Sequence, residues 1–202
     1  MSSRQILLSG LFLCLFALVG TSFVAVTEHN TRKAIAENER RVLLRNLHAL
    51  LPAEKLDNDI VSDTLSIPPS DLLGTETTSL VYRARLRGEP VAAIFNSIAP
   101  NGYSGRIHLL VGVYIDGKIA GVRVIKHAET PGLGDALELR KSPWILDFNA
   151  KSLDDPARSN WLVKRDGGVF DQFTGATISP RAVVAAVKNT LLYYDENAST
   201  IF

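Results

Sequence analysis

The sequence predicts an α+β protein in which one N-terminal transmembrane helix precedes a single domain with an antiparallel sheet and flanking helices. Three features support this prediction: an uncharged apolar run over residues 6–26, an Asp116-Gly117 turn between two β-rich runs, and a Ser179-Pro180 pair ahead of an apolar stripe. The expected segments are an N-terminus at 1–5, the membrane helix at 6–26, a juxtamembrane helix at 27–56 and the domain at 57–202.

The apolar run over residues 6–26 has the length of a membrane-spanning helix. It contains 21 residues without a charged side chain, and about 20 apolar residues allow a helix to cross the hydrocarbon core of a bilayer. The alternative is a cleaved signal peptide, whose apolar region is usually about 7–15 residues long and precedes a small-residue cleavage site. No Ala-x-Ala site follows this run, so we interpret it as an uncleaved anchor in the lipid bilayer.

Charge and motif content argue against several classes of protein. The chain has 22 Lys+Arg against 21 Asp+Glu and a net charge of +1, which lacks the cationic excess of a nucleic-acid-binding surface. Its single cysteine rules out an intrachain disulfide and a cysteine-cluster metal site. The sequence has no phosphate-loop motif, and its four histidines show no metal-ligand spacing. Ser104 lies in Gly-Tyr-Ser-Gly-Arg, which narrowly misses the Gly-x-Ser-x-Gly motif of a hydrolase.

The elements between the two ends of the chain follow from periodicity. Residues 28–51 show apolar side chains at helical spacing, with Asn30 or Thr31 as a candidate N-cap and Pro52 after the end. The polar stretch that follows is expected to be a loop. Residues 80–86 and 91–95 predict two strands, and the runs at 107–115 and 119–125 predict a hairpin around Asp116-Gly117.

A final helix is predicted to begin at Ser179-Pro180. Serine is a favoured N-cap, and proline fits the first helical position because no hydrogen bond is lost there. An apolar stripe follows at helical spacing, formed by Val183, Val187, Leu191 and Tyr194. Because the N-terminus of a helix offers free backbone N–H groups and a partial positive charge, this helix start suits a phosphate.

Two segments combine small residues with polar side chains. Residues 171–177 read Asp-Gln-Phe-Thr-Gly-Ala-Thr and directly precede the final helix. Residues 127–134 read His-Ala-Glu-Thr-Pro-Gly-Leu-Gly and follow the second strand of the hairpin. On these residues alone, an ordinary helix start and a structural loop explain the two segments as well as a ligand site does.

Together, the two segments resemble the signatures of the FMN-binding domain family. Asp-x-x-Thr-Gly-Ala-Thr is similar to its flavinylation motif, and His-x-Glu-Thr-Pro-Gly-Leu-Gly is similar to its second signature. The resemblance covers nearly the whole chain and is strongest to the family of G subunits of the Rnf/Rsx ion-translocating electron-transport complexes. The related alternative is the C subunit of a sodium-pumping NADH:quinone reductase. The alternative from another class is a membrane-anchored binding module without redox activity.

The resemblance implies an electron-carrier subunit rather than a stand-alone enzyme, with FMN joined through its phosphate to the hydroxyl of Thr177. It implies no catalytic residue and no metal. The other implied cofactor-binding residues are Asp171, Thr174, Gly175, Ala176 and Ser179 near the attachment point, and His127, Glu129, Thr130 and Leu133 near the flavin ring. A threonine hydroxyl is a poor nucleophile without an adjacent base, so a separate flavin transferase is also implied, with Asp171 helping to dock the transferase or its metal.

The resemblance also implies a place in the cell. It predicts a single-pass protein of the bacterial inner membrane, with a cytoplasmic N-terminus, a periplasmic domain, and other membrane and peripheral subunits of the complex as partners. Charge counting favours the opposite orientation, because Arg4 and the amino terminus precede the apolar run, whereas five cationic side chains follow it: Arg32, Lys33, Arg40, Arg41 and Arg45. That rule applies to short loops, and long domains translocate largely regardless of charge. The predicted orientation therefore rests on the resemblance.

Overall fold

The computed structural model describes residues 3–202. Met1 and Ser2, which belong to the expected N-terminal segment 1–5, lie outside the described residues. The chain divides into two compact units, one that ends at Leu43 and one that comprises Leu44–Phe202.

The first helix, α1, extends over Ser3–Leu50. The expected N-cap at Asn30 or Thr31 is wrong, because both residues lie inside α1, where the Thr31 hydroxyl donates to the carbonyl of Thr27 at 2.8 Å. Among the described residues, α1 is the one helix that is long and apolar enough to cross a membrane. Apolar side chains in its N-terminal half are exposed in the isolated chain, including Phe16 and Phe23, as expected for surface that faces lipid.

The predicted antiparallel sheet is confirmed and has five strands. They are β1 (Thr64–Ile67), β2 (Ser79–Leu86), β3 (Glu89–Gly102), β4 (Gly105–Tyr114) and β5 (Ile119–Lys126). Their order is β1-β2-β3-β4-β5, and every neighbouring pair is antiparallel. The predicted hairpin is the β4–β5 pair, and Gly117 in its turn adopts a φ of 80°, which favours glycine.

Two details of the sheet differ from the sequence-based expectation. Strand β1 lies in the stretch expected to be a loop, and it forms because its backbone pairs with β2, for example Leu65 with Val81. Four residues are too few to show a period. Strand β3 continues past Phe95 to Gly102, because residues up to Ala99 pair with β4 despite the polar Asn96 and Ser97.

The C-terminal helix, α2, extends over Ile178–Ile201 and packs on one face of the sheet, against β3 and β4. The predicted apolar stripe is confirmed, since all four of its residues are buried. Tyr194 meets Phe95 edge-to-face with ring centroids 6.2 Å apart. At the end of α1, Leu50 is buried beside Gly121, where a Cβ atom would lie 3.1 Å from the Leu50 Cδ2 atom. The last turn of α1 therefore belongs to the same unit as the sheet.

The segment between β5 and α2 contributes aromatic side chains to the core. Phe148 stacks on Phe170 at 4.6 Å between ring centroids, and Trp144 meets Phe173 at 5.1 Å. The Trp144 indole N–H also donates to the carbonyl of Asp171 at 2.8 Å. The segment that leads into residues 171–177 is therefore attached to the core. This region also contains short 3₁₀ turns at Gly134–Leu137, Pro143–Phe148, Arg158–Asn160 and Lys164–Asp166.

Candidate functional site

A cavity of about 640 Å³ lies beside the start of α2. This volume falls in the range of about 300–1,000 Å³ that is typical of small-molecule sites. The walls come from the β3–β4 turn, the loop after β5, the turn at Lys164–Asp166, residues 175–177 and the first turn of α2. Its lining residues are Tyr103, Glu129, Thr130, Leu133, Gly134, Arg165, Gly175, Ala176, Thr177, Ile178 and Arg181.

The hydroxyl of Thr177 lies at the point where α2 begins. Thr177 is the N-cap residue of α2, but its side chain makes no capping hydrogen bond. The expected cap at Ser179 is wrong, because Ser179 lies in the first turn and its hydroxyl donates to the Glu129 carboxylate at 2.5 Å. The helix therefore does not use the Thr177 hydroxyl as a cap. Thr177 lines the cavity beside the first turn, where Ile178 and Ser179 carry backbone N–H groups and Pro180 has none.

Small residues form the wall just before Thr177. Gly175 adopts a φ of 80°, a conformation that side chains with a Cβ rarely adopt. A Cβ atom at position 175 would lie 3.6 Å from the Leu133 Cδ2 atom, so Leu133 packs directly over this glycine. Together with Ala176, Gly175 lets a ligand approach the backbone close to the Thr177 hydroxyl.

Two arginines line the cavity, and one of them is neutralised by a carboxylate. Arg181 donates to both carboxylate oxygens of Asp166, at 2.6 and 2.9 Å. These hydrogen bonds are the main cause of the lowered pKa of Asp166, and the charge of Arg165 contributes. Asp166 therefore balances the charge of Arg181. The guanidinium that adds further positive charge to this part of the wall is that of Arg165. A phosphate at the start of α2 would therefore meet both a helix N-terminus and a guanidinium.

The sequence-predicted residues divide into two groups. Six of them line the cavity: Glu129, Thr130, Leu133, Gly175, Ala176 and Thr177. The other four lie off its wall. The Asp171 carboxylate pairs with Lys164 at 2.6 Å at the surface, Thr174 is exposed, and Ser179 is buried behind the wall.

The fourth residue off the wall, His127, supports the loop from behind. Its Nδ1 accepts from the backbone N–H of Glu129 at 3.1 Å, and its Nε2 lies 3.0 Å from Glu138. Hydrogen bonding from Arg140 is the main cause of the lowered pKa of Glu138, to which His127 adds. His127 is thus part of the support of the cavity rather than of its wall.

Four residues of the wall lie outside the two sequence motifs: Tyr103, Arg165, Ile178 and Arg181. A fifth, Gly134, lies in the second motif but was not among the predicted cofactor-binding residues. The sequence contained a signal for Arg181, because this residue directly follows Ser179-Pro180 in the first turn of the predicted helix. Arg165 had no comparable signal, because it comes from a separate turn that only the tertiary fold brings to the cavity.

The fold and the cavity define an α+β protein that has, among its described residues, one helix able to cross a membrane, and a candidate small-molecule site at the start of its last helix. In agreement, residues 102–192 match the FMN-binding domain family, and residues 1–50 match the family described as RnfG N-terminal region. The matched FMN-binding domain contains all the cavity-lining residues.

Curated relatives extend this similarity over the full chain. The G subunit of the ion-translocating oxidoreductase complex of Pseudoalteromonas atlantica is 50% identical over 194 residues, which cover 96% of this chain and 90% of the relative. The proteins of the same name from Shewanella amazonensis and Pseudomonas aeruginosa are 47% and 50% identical, over 98% and 96% of this chain and 93% and 91% of the relatives. The chain belongs to the family of G subunits of ion-translocating oxidoreductase complexes. The resemblance expected from the two signatures is thereby confirmed.

Proposed function

We propose that this chain is the electron-carrier subunit of a membrane-bound ion-translocating oxidoreductase complex, and that its FMN is joined through the phosphate to Thr177. The observation that carries the proposal is that Thr177 lines the cavity while its side chain makes no capping hydrogen bond. Family membership supports both FMN and the other subunits of the complex as partners.

The residues of the cavity fit FMN. FMN supplies reversible uptake of electrons by its ring, while a protein supplies position and electrostatics. The free N–H groups at the start of α2 and the Arg165 guanidinium favour the negative charge of a phosphodiester on Thr177. Tyr103 and Leu133 offer apolar surface for the ring, and the Thr130 hydroxyl offers a hydrogen bond to its polar edge.

Attachment of FMN requires a separate flavin transferase with FAD as donor. Across residues 3–202 the cavity wall carries no histidine or cysteine, and Glu129 already accepts hydrogen bonds from Ser179 and Ser104. Thr177 therefore lacks the adjacent base that activates a hydroxyl. In the transfer, the Thr177 oxygen bonds to the phosphorus of the FMN half, the diphosphate bond breaks, AMP leaves and the hydroxyl proton is released. The exposed Asp171 is accessible to the transferase.

Replacing Thr177 tests the attachment site. The Thr177→Ala chain, produced together with the transferase, should carry no FMN, because the acceptor oxygen is absent. Thr174→Ala is the matched control, since Thr174 is an exposed threonine three residues away, and it should reduce attachment without abolishing it. Intact mass after denaturation measures the adduct. One FMN on the Thr177→Ala chain would show that the site is elsewhere.

The proposed orientation is a cytoplasmic N-terminus and a periplasmic domain in the bacterial inner membrane. One helix that is long and apolar enough to cross a membrane supports a single-pass topology for residues 3–202. Alkaline phosphatase fused after Phe202 should be active, because this enzyme requires the periplasm. The matched fusion to a cytoplasmic reporter should be inactive. The reverse pattern would place the domain in the cytoplasm.

A further inference from the structure

We propose that Glu129 is the positioning residue of the cavity, and that its carboxylate holds the start of α2, and with it Thr177, in the geometry required for attachment. This inference rests on the proposed function of Thr177. In this proposal Glu129 lines the cavity and also supports the start of α2 from behind the wall.

The Glu129 side chain connects three of the segments that form the cavity. It is only 5% exposed. One carboxylate oxygen accepts from the Ser179 hydroxyl at 2.5 Å, and the other accepts from the backbone N–H of Ser104 at 3.1 Å. Glu129 itself belongs to the loop after β5. A single side chain therefore joins that loop to the β3–β4 turn and to the first turn of α2.

The link to Ser179 determines where Thr177 lies. Ser179 is fully buried, and it is two residues after Thr177 in the chain. Because the Ser179 hydroxyl donates a hydrogen bond to Glu129, the α2 backbone is fixed to the loop after β5 close to the point where Thr177 meets the helix. A carboxylate near the N-terminus of a helix is also favoured by the helix dipole.

Two glycines show how tightly the carboxylate is enclosed. A Cβ atom at Gly134 would lie 2.6 Å from the Glu129 Oε2 atom and 2.9 Å from its Cβ atom. All three of the nearest atoms to that position belong to Glu129. At Gly102, in contrast, a Cβ atom would lie 2.3 Å from the carbonyl oxygen of Gly105 as well as 2.9 Å from the Glu129 Oε1 atom. The closest contacts at position 134 thus come from Glu129, whereas the closest contact at position 102 comes from backbone.

Full-length apo-protein in detergent, treated with purified flavin transferase and FAD, provides the first test. Glu129→Ala and Ser179→Ala should each lower the initial rate of FMN attachment by about tenfold, as expected for loss of a hydrogen bond to a buried charge. Glu129→Gln should recover much of the rate, since its amide oxygen accepts from Ser104 and its amide nitrogen donates to the Ser179 oxygen. Wild-type rates in the Glu129→Ala and Ser179→Ala variants would overturn the proposal.

The glycine pair provides a matched second test. Gly134→Ala should lower the rate in the wild-type background and cause no further loss in the Glu129→Gly background, where the atoms it meets are gone. Gly102→Ala should lower the rate in both backgrounds, because the Gly105 carbonyl remains. Equal losses from Gly134→Ala in both backgrounds would contradict the assignment of that restriction to Glu129.

Hydrogen exchange separates this proposal from the proposed function. In the apo-protein, Glu129→Ala and Ser179→Ala should accelerate exchange of the Arg181 amide, which donates to the carbonyl of Thr177 at 3.3 Å, but not of amides in the middle of α2, for example at Leu191. If the wild-type chain takes up no FMN, the proposed function fails and exchange still tests Glu129. Unchanged exchange at Arg181 would overturn the positioning role.

Discussion

The indole N–H of Trp144 donates to the backbone carbonyl of Asp171 across a distance of 2.8 Å. The carboxylate of the same aspartate pairs with Lys164 at the surface, 2.6 Å away. Asp171 is therefore fixed to the core through its backbone while its side chain remains at the surface. The segment that ends at Thr177 begins from this attachment.

We expect Trp144→Phe to lower stability and to slow FMN attachment. The substitution removes the N–H donor but keeps an aromatic ring against Phe148 and Phe173, so the loss should be about 0.5–1.5 kcal/mol for one hydrogen bond. Trp161→Phe is the matched control, because its indole N–H donates to the carbonyl of Ser152 at 3.1 Å, outside the attachment segment. Thermal unfolding and intact mass are the measurements. Equal attachment rates in the two variants would contradict this role of Trp144.

Arg165→Gln should weaken the binding of free FMN to a Thr177→Val chain. The variant removes one positive charge from the cavity wall, and an exposed charge pair of this kind contributes about two- to fivefold in affinity. The effect should fade as the salt concentration rises. Arg158→Gln is the control, because Arg158 pairs with Asp195 at 3.4 Å and does not line this cavity. Fluorescence titration that finds equal affinities for both variants would remove Arg165 from the site.

Leu133→Ala should raise the reduction potential of the attached flavin. Leu133 packs over Gly175 on the cavity wall, and its truncation would admit water to the ring. The reduced flavin anion carries more charge than the oxidised flavin, so water favours the reduced form. Leu139→Ala is the control, since Leu139 is similarly exposed but lies off the wall. A redox titration in which both variants match the wild-type potential would place Leu133 away from the ring.

Asp63→Asn should destabilise the domain in a pH-dependent manner. Burial raises the pKa of Asp63, but hydrogen bonds from Arg85 and Arg83 outweigh this effect, so the pKa lies below its usual value. A lowered carboxyl pKa contributes stability above the unfolded pKa of about 4, and that stability is lost as the pH falls through the folded pKa. The variant should therefore lose about 1–3 kcal/mol at pH 7, and its difference from wild type should shrink in acid.

Thermal unfolding at several pH values measures this difference. Glu76→Gln is the control, because Glu76 pairs with Arg106 at the exposed surface, where the change should stay within about 0.5 kcal/mol. A difference between Asp63→Asn and wild type that stays constant from pH 7 into acid would show that the carboxylate charge is not responsible.

Local signals in the sequence predicted most of the fold. The features that these signals missed depend on contacts between residues that are far apart in the sequence. Strand β2 alternates apolar and polar side chains, and strands β4 and β5 flank an Asp-Gly turn, so a few consecutive residues are enough to predict them. Strand β1 depends on pairing with β2. The start of α2 was predicted close to its position, but Ser179 does not cap the helix because Glu129, fifty residues earlier, accepts its hydroxyl hydrogen.

The same reasoning applies to the site. Residues 171–177 and 127–134 were readable as motifs, and seven of their residues, including Thr177, reach the cavity wall. Arg165 comes from a turn whose sequence resembles any charged surface turn, so its place on the wall depends on tertiary packing.

The contact between Glu129 and Ser179 also bears on the order of events during biogenesis. These residues come together only after the sheet and α2 have assembled, so the surroundings of Thr177 do not exist in a nascent or misfolded chain. We therefore expect FMN attachment to follow folding, so that a chain carrying the yellow flavin is one in which this contact has already formed.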